Sequence, residues 1–145
     1  MRYRFVDEIV SLELEPTARI EVSKTFAPGD DALSGPAGPD RVPHSLILEL
    51  LTMAGGHLIF RRLGEGRLPL LLKVREACFE GSARPGLPLR AIAELLGSSR
   101  AADGTVLAET SGAVYAGTER IARGHLLYLC VSVPGVDLRA AAGAP

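Results

Sequence analysis

One segment near the middle of the chain limits the possible folds more than any other. Between Leu46 and Phe60, in the run LILELLTMAGGHLIF, apolar residues occur on almost every side of a helical wheel. A helix that is apolar all round is enclosed by protein and does not lie on a surface. Pro43 suits a first helical turn, and Arg61 and Arg62 suit a last turn. The pattern therefore predicts an enclosed helix over Pro43–Arg62.

Strand patterns lie on both sides of this helix. Before it, apolar and polar residues alternate over Val10–Leu14 and Ile20–Val22, with a turn at Glu15–Ala18, which is typical of a β-hairpin with one wet face. After it, short turns separate three strand-like segments, Leu70–Phe79, Leu87–Leu96 and Thr105–Tyr115. Such a run predicts an antiparallel meander, and Glu119–Val133 could be a further strand or a short helix. Since the dry face of a sheet needs a covering element, we expect an α+β fold with the helix across a curled sheet.

The remaining segments define the expected domain. Residues 27–42 hold three prolines and three glycines, which predicts a long loop without regular structure. With 145 residues the chain is long enough for one hydrophobic core. We expect residues 1–139 to form a single domain and residues 140–145 to be a disordered tail.

Composition excludes several classes of function. The net charge of −1 and the absence of Trp argue against a nucleic-acid partner. No apolar run is long enough to span a bilayer, and the first residues lack a signal-peptide pattern, so we expect a cytoplasmic protein without a membrane partner. Cys78 and Cys130 give neither zinc spacing nor a redox pair. With no P-loop or dinucleotide fingerprint, we expect no metal and no cofactor.

Four stretches, in their order along the chain, resemble one known family. They are Arg2–Asp7 (RYRFVD), Gly35–Glu49 (GPAGPDRVPHSLILE), Ala54–Gly56 (AGG) and Ala77–Gly86 (ACFEGSARPG). Over roughly residues 3–117 the chain is similar to the β-hydroxyacyl-acyl-carrier-protein dehydratases. The resemblance implies a hotdog fold, in which a curled antiparallel sheet wraps around one central buried helix. It also implies a homodimer or higher homo-oligomer, and an acyl thioester carried on acyl carrier protein or coenzyme A as substrate.

The same resemblance identifies two candidate catalytic residues. The family pairs a loop histidine of one subunit with an acidic helix residue of the other, and Glu49 aligns with the acid. The histidine position aligns with Pro36, which cannot accept a proton. His44, where the family usually has glycine, is the candidate substitute. An amide of His44 or Ser45 at the helix start would polarise the thioester carbonyl.

The residues themselves support Glu49 independently. It is the only residue between Arg41 and Arg61 that is charged at neutral pH, in an almost wholly apolar helix. Since an unpaired buried carboxylate is costly, it must be paired, protonated or exposed at a pocket, where it suits acid–base catalysis. Alternatively it caps a backbone group or faces a water-filled groove. His44 lies five residues before it, about 140° round a helix, so the two can meet only between different chains.

Four residues are candidates for substrate binding: Ser45, Gly55, Gly56 and Arg84. Adjacent glycines in a helix interior cost about 1 kcal/mol each, which suggests close approach of another helix or of a ligand. Arg84 belongs to a group of cations suited to a phosphate. Three functions remain open: a dehydratase-like lyase as the leading hypothesis, a hotdog acyl-thioesterase, and a non-catalytic acyl-binding scaffold.

Overall fold

The computed structural model of the chain describes residues 5–33, 40–63 and 66–132. Its elements, in chain order, are β1 (Glu8–Glu13), β2 (Arg19–Thr25), a 3₁₀ turn (Asp31–Leu33), α1 (His44–Arg62), β3 (Leu68–Phe79), β4 (Pro88–Arg100), β5 (Val106–Ala116) and β6 (Glu119–Val131). All paired strands are antiparallel and form one sheet in the order β1-β2-β4-β5-β6-β3.

The single long helix packs on one face of this sheet. α1 contacts β2, β3, β4, β5 and β6, which requires the sheet to curl around it. The buried apolar side chains form one cluster between the helix and the inner face of the sheet. The predicted hotdog architecture, a curled antiparallel sheet around one helix, is therefore confirmed.

Two glycines on neighbouring strands determine how closely the helix approaches. Gly112 of β5 and Gly124 of β6 face each other across the ladder. A Cβ atom would lie 2.8 Å from Leu51 Cδ1 at Gly112 and 3.1 Å from Leu51 Cδ2 at Gly124. The missing side chains form a hollow that holds Leu51, which is 2% exposed. A side chain at Gly124 would crowd Leu51 of the helix, whereas one at Gly112 would also overlap the Ile92 carbonyl oxygen of the neighbouring strand β4.

The element boundaries mostly agree with the sequence-based expectations, with three differences. β4 continues to Arg100, beyond the predicted end at Leu96, because a register shift between Leu95 and Gly97 lets pairing with β5 continue past the irregularity. The undecided segment after Glu119 is a strand, β6, which follows a turn with Gly117 at a positive φ of 62°.

The third difference lies in the segment predicted to lack regular structure. Asp31–Leu33 forms a 3₁₀ turn in which the side chain of Asp30 accepts a hydrogen bond from the Ala32 amide (3.0 Å) and Leu33 is buried. Local capping by an aspartate and one apolar anchor are enough to order this turn. Residues 34–39, which include the Pro36 position, and the predicted tail at 140–145 lie outside the described residues.

Candidate functional site

One face of α1 turns away from the sheet and is only half-buried. It carries Glu49, Met53, Gly56 and Phe60, whose spacing of four, three and four residues places them in one row. His57 borders the row, and burial, with a smaller contribution from the charge of Arg61, lowers its pKa. Leu51 lies on the opposite side of the helix, in its glycine hollow. The helix is therefore enclosed on its sheet side alone within one chain, and we call this row the open stripe.

Glu49 is the one carboxylate of α1 and lies within the open stripe. Its side chain is half-buried, and among the described residues it forms no hydrogen bond or ion pair. A carboxylate in these surroundings keeps its lone pairs available for an incoming water or substrate. Of the alternatives that the sequence allows, this placement corresponds to partial exposure at the protein surface, without pairing to a cation among the described residues.

A buried hydroxyl lies close to Glu49. Tyr128 of β6 donates a hydrogen bond to the Thr52 carbonyl (2.7 Å) and is also hydrogen-bonded by the Thr110 side chain. Burial raises the pKa of Tyr128 far above its usual value, and the negative charge of Glu49 raises it further, against the opposing effect of Thr110. The phenol is therefore a neutral donor that ties β6 to the helix one turn after Glu49.

The two helix glycines have different surroundings. A Cβ atom on Gly55 would collide with the Tyr128 hydroxyl and lie 3.0 Å from Thr110 Oγ1, so the group that approaches Gly55 closely is a side chain of this same chain. At Gly56 a Cβ atom would lie 3.9 Å from Pro69 Cγ, which is ordinary van der Waals contact. Gly56 lies in the open stripe, whereas Gly55 is buried.

His44 and Ser45 occupy the exposed first turn of α1. The imidazole of His44 stacks flat on Phe79 at the end of β3, with ring centroids 4.3 Å apart and planes 1° from parallel. This contact directs His44 towards β3, and the five-residue separation places it on a different side of the helix from Glu49. Within one chain the structure does not bring the two candidate catalytic residues together.

Arg84 lies in the turn between β3 and β4. It lines a cleft beside the start of α1 together with Arg41, and a backbone hydrogen bond from Val42 N to Ala83 O (2.9 Å) joins the two segments. Arg41 had no role in the sequence-based predictions, because nothing in its surrounding loop sequence indicates which turn it meets. Tyr128 was missed too, since its strand could not be told from a helix.

The outer face of the sheet carries a separate polar network. His125 Nε2 lies 2.8 Å from a Glu109 carboxylate oxygen, and Arg75 binds the other oxygen of Glu109 at 2.9 Å. The hydrogen bond from His125 and then the charge of Arg75 lower the pKa of the Glu109 carboxyl. These side chains point away from α1, so we interpret the network as surface ion pairing and leave it out of the site.

One sheet edge is apolar and has no second strand beside it in the described part of the chain. β3 pairs with β6 on one side only, as the last strand in the sheet order. Its leucines are unusually exposed, at 46% for Leu70, 41% for Leu71 and 54% for Leu72. Since Pro69 of β3 lies beside Gly56, this edge adjoins the open stripe. Together they form one apolar surface with Glu49 in it.

The described residues contain neither a helix that could span a membrane nor a cluster that could hold a metal ion. None of the helices there combines the length and the apolar character needed to cross a bilayer. In the same part of the chain, no group of three or more His, Cys, Asp or Glu side chains is arranged to hold a metal ion. The free thiols of Cys78 and Cys130 are on β3 and β6, where Cys130 is buried.

Solved structures show the fold, although sequence comparison does not identify relatives. No sequence model of a protein family matches the chain, and no curated protein is similar to it. A candidate thioesterase of Lactococcus lactis superposes with a TM-score of 0.71 at 10% identity, covering 88% of this chain and 94% of that one. A thioesterase of Haemophilus influenzae superposes with a TM-score of 0.66 at 16% identity, covering 88% and 79%.

A third similar structure was solved with a ligand. It is a candidate thioesterase of Streptococcus pneumoniae with coenzyme A, with a TM-score of 0.62, 11% identity and coverage of 86% of this chain and 85% of that one. At such identities the likeness shows the hotdog fold. The resemblance to the dehydratase family is thus confirmed for the fold and not for the family itself, and the structural neighbours are thioesterases.

Proposed function

We propose that this chain is an acyl-thioesterase that hydrolyses a pantetheine-type thioester, with Glu49 as its catalytic carboxylate. The observation that carries the proposal is the position of Glu49, which is half-buried in the apolar open stripe and has no hydrogen-bond or ion-pair partner in the part of the chain that the structure describes. The hotdog fold and its thioesterase neighbours favour this reading over the dehydratase one. The loop sequence over residues 27–42 contains no histidine, which agrees with this proposal because hydrolysis can proceed with one helix carboxylate.

In the proposed reaction the Glu49 carboxylate takes a proton from water while the water oxygen attacks the thioester carbonyl carbon. The tetrahedral intermediate then collapses, the carbon–sulfur bond breaks, and the departing thiolate takes the proton from Glu49, which restores the carboxylate and leaves the carboxylic acid product. Direct attack by the carboxylate is the variant in which Glu49 forms an anhydride that water cleaves. The amides in the first turn of α1 have no hydrogen-bond acceptor within the helix. We assign the amides of His44 and Ser45 the role of donating hydrogen bonds to the thioester carbonyl oxygen.

This assignment requires a second copy of the chain, because His44 and Glu49 lie on different sides of their own helix. Exposed strand edges are usually covered by pairing, and an isologous contact places the same surface on both copies. Antiparallel pairing of two β3 edges would extend the sheet and bring both open stripes to one interface. Glu49 of each copy would then lie near the helix start of the other.

We therefore expect a dimer in sedimentation velocity at micromolar concentration. Leu71→Glu should weaken the dimer at least about tenfold, since it places a charge in the β3 surface, a loss of about 1.4 kcal/mol. Leu96→Glu is the matched control, because Leu96 is a leucine 54% exposed on β4, away from that edge, and it should leave the dimer intact. A folded monomeric parent would contradict the proposed site.

The reaction itself is tested with three substrates that share one acyl chain length. Purified protein is incubated with saturated, 3-hydroxy and 2-enoyl thioesters of coenzyme A, following thiol release and the enoyl absorbance separately. We expect thiol release from the saturated thioester, which has no group that could be dehydrated. Interconversion of the hydroxyacyl and enoyl thioesters without thiol release would support the dehydratase hypothesis. Binding without either reaction would support the acyl-binding scaffold.

A further inference from the structure

Beside the start of α1 lies a cleft with two arginines that form no ion pair with any of the described residues. We call it the arginine cleft, and it is lined by Pro28, Asp40, Arg41, Ser82, Ala83, Arg84 and Pro85. Arg41 and Arg84 are both exposed, and within residues 5–33, 40–63 and 66–132 neither forms an ion pair or a hydrogen bond. This distinguishes them from seven cations that bind carboxylates, namely Arg19, Lys24, Arg62, Arg75, Arg90, Arg120 and Arg123.

The backbone on both sides of the cleft is anchored in the core. Val42 and Ala83 are 1% and 3% exposed and are joined by the Val42 N–Ala83 O hydrogen bond. Gly86, at a φ of 89°, donates its amide to the Phe26 carbonyl (2.7 Å) and lies against Pro28. The two guanidinium groups therefore extend from fixed positions, so holding an anion between them orders only the side chains.

The charges in the cleft favour a phosphate. Two guanidinium groups and the one carboxylate of Asp40 leave a net positive charge, and the N-terminus of α1 adds the partial positive charge of its amides. Guanidinium groups bind phosphate oxygens in a bidentate manner, and the Ser82 hydroxyl is a further donor. A single carboxylate ligand would use this set of donors less fully, because it has only two oxygen atoms.

The position of the cleft determines what kind of molecule carries the phosphate. Within one copy, Glu49 is six positions after Pro43, which corresponds to a rise of about 9 Å along α1. A ligand with its phosphate in the cleft and its thioester at Glu49 therefore needs an extended spacer between them. We infer that Arg41 and Arg84 bind the phosphate of the pantetheine arm that carries the acyl group, which rests on the proposed function.

The inference is tested by comparing substrates with and without phosphate. Arg41→Ala and Arg84→Ala should each raise KM for an acyl-coenzyme A about 10- to 100-fold with little change in kcat, since hydrogen bonds between charged groups are lost. For the same acyl group on phosphate-free pantetheine, KM should not change. Arg100→Ala is the matched control, because Arg100 is also exposed and lies at the far end of β4, and it should change neither KM.

Further arms identify the source of the phosphate and separate this inference from the proposed function. If the KM effect is also seen with acyl-carrier-protein substrates, the carrier's phosphodiester occupies the cleft; if it is confined to acyl-coenzyme A, the nucleotide phosphates do. If the parent protein hydrolyses no thioester, calorimetric titration with coenzyme A tests whether the arginine cleft binds the phosphate. Binding that the Arg84→Ala variant weakens at least tenfold supports the cleft without catalysis. If the variants raise KM equally for acyl-pantetheine, or if Arg84→Ala does not weaken the binding of coenzyme A, the inference is overturned.

Discussion

Replacing Glu49 by Gln is expected to lower the turnover of thioester hydrolysis about 10²–10⁴-fold, the usual contribution of a group that transfers the proton. Glutamine has nearly the same shape and can still form hydrogen bonds, but it cannot accept a proton from water or attack the carbonyl. KM should change little, because the shape of the open stripe is kept. The measurement is steady-state hydrolysis of a saturated acyl-coenzyme A.

Stability separates a catalytic role from a structural one. Among the described residues Glu49 has no partner to lose, and pairing of the two copies would bury it further. The Gln variant should therefore melt at the parent temperature or above it, because a charge in an apolar surface has been removed. Glu13→Gln is the control, because Glu13 is an exposed carboxylate on β1. This change should alter neither the turnover nor the melting temperature. Full turnover with a lower melting temperature would contradict the catalytic role.

The second large effect is expected at Gly55. An added methyl group would overlap the Tyr128 hydroxyl and crowd Thr110. Overpacking costs about 1–3 kcal/mol, and displacement of Tyr128 would break its hydrogen bond to Thr52, worth about 0.5–1.5 kcal/mol. The gain of about 1 kcal/mol in helix propensity offsets part of this. We expect Gly55→Ala to lower the free energy of unfolding by about 1–3 kcal/mol, measured by urea denaturation.

The adjacent glycine provides the matched control. At Gly56 the added methyl group meets only ordinary contacts, so Gly56→Ala should leave stability unchanged or raise it by up to about 1 kcal/mol. Combining Gly55→Ala with Tyr128→Phe removes the overlapping hydroxyl, and the double variant should lose less stability than the two single changes together. Simple additivity of the two losses, or a stable Gly55→Ala protein, would show that Tyr128 does not explain this glycine.

Much of the architecture was predictable from local sequence patterns, and the elements that could not be predicted were obscured by local features of the sequence. The helix and five of the strands follow from periodicity, because side-chain burial repeats every 3.6 or every 2 residues. β6 was left open because Leu126–Leu129 is a short apolar run that suits either element. The 3₁₀ turn at Asp31–Leu33 was missed because Pro and Gly dominate the composition around it, while the Asp30 side-chain hydrogen bond and the burial of Leu33 order it.

Glu49 was identifiable from the sequence alone, since one carboxylate in a run of apolar residues is conspicuous whatever the fold. Its surroundings were not. Only the tertiary structure places the open stripe beside the edge of β3 that does not pair with β6, and only it packs Tyr128 against Gly55. It also brings Arg41 and Arg84 into one cleft. The residues brought together are 13 positions apart for Gly56 and Pro69, 43 for Arg41 and Arg84, and 73 for Gly55 and Tyr128. The physical reason is that periodicity records which side chains are buried, whereas the sheet order and the strand register decide which of them meet.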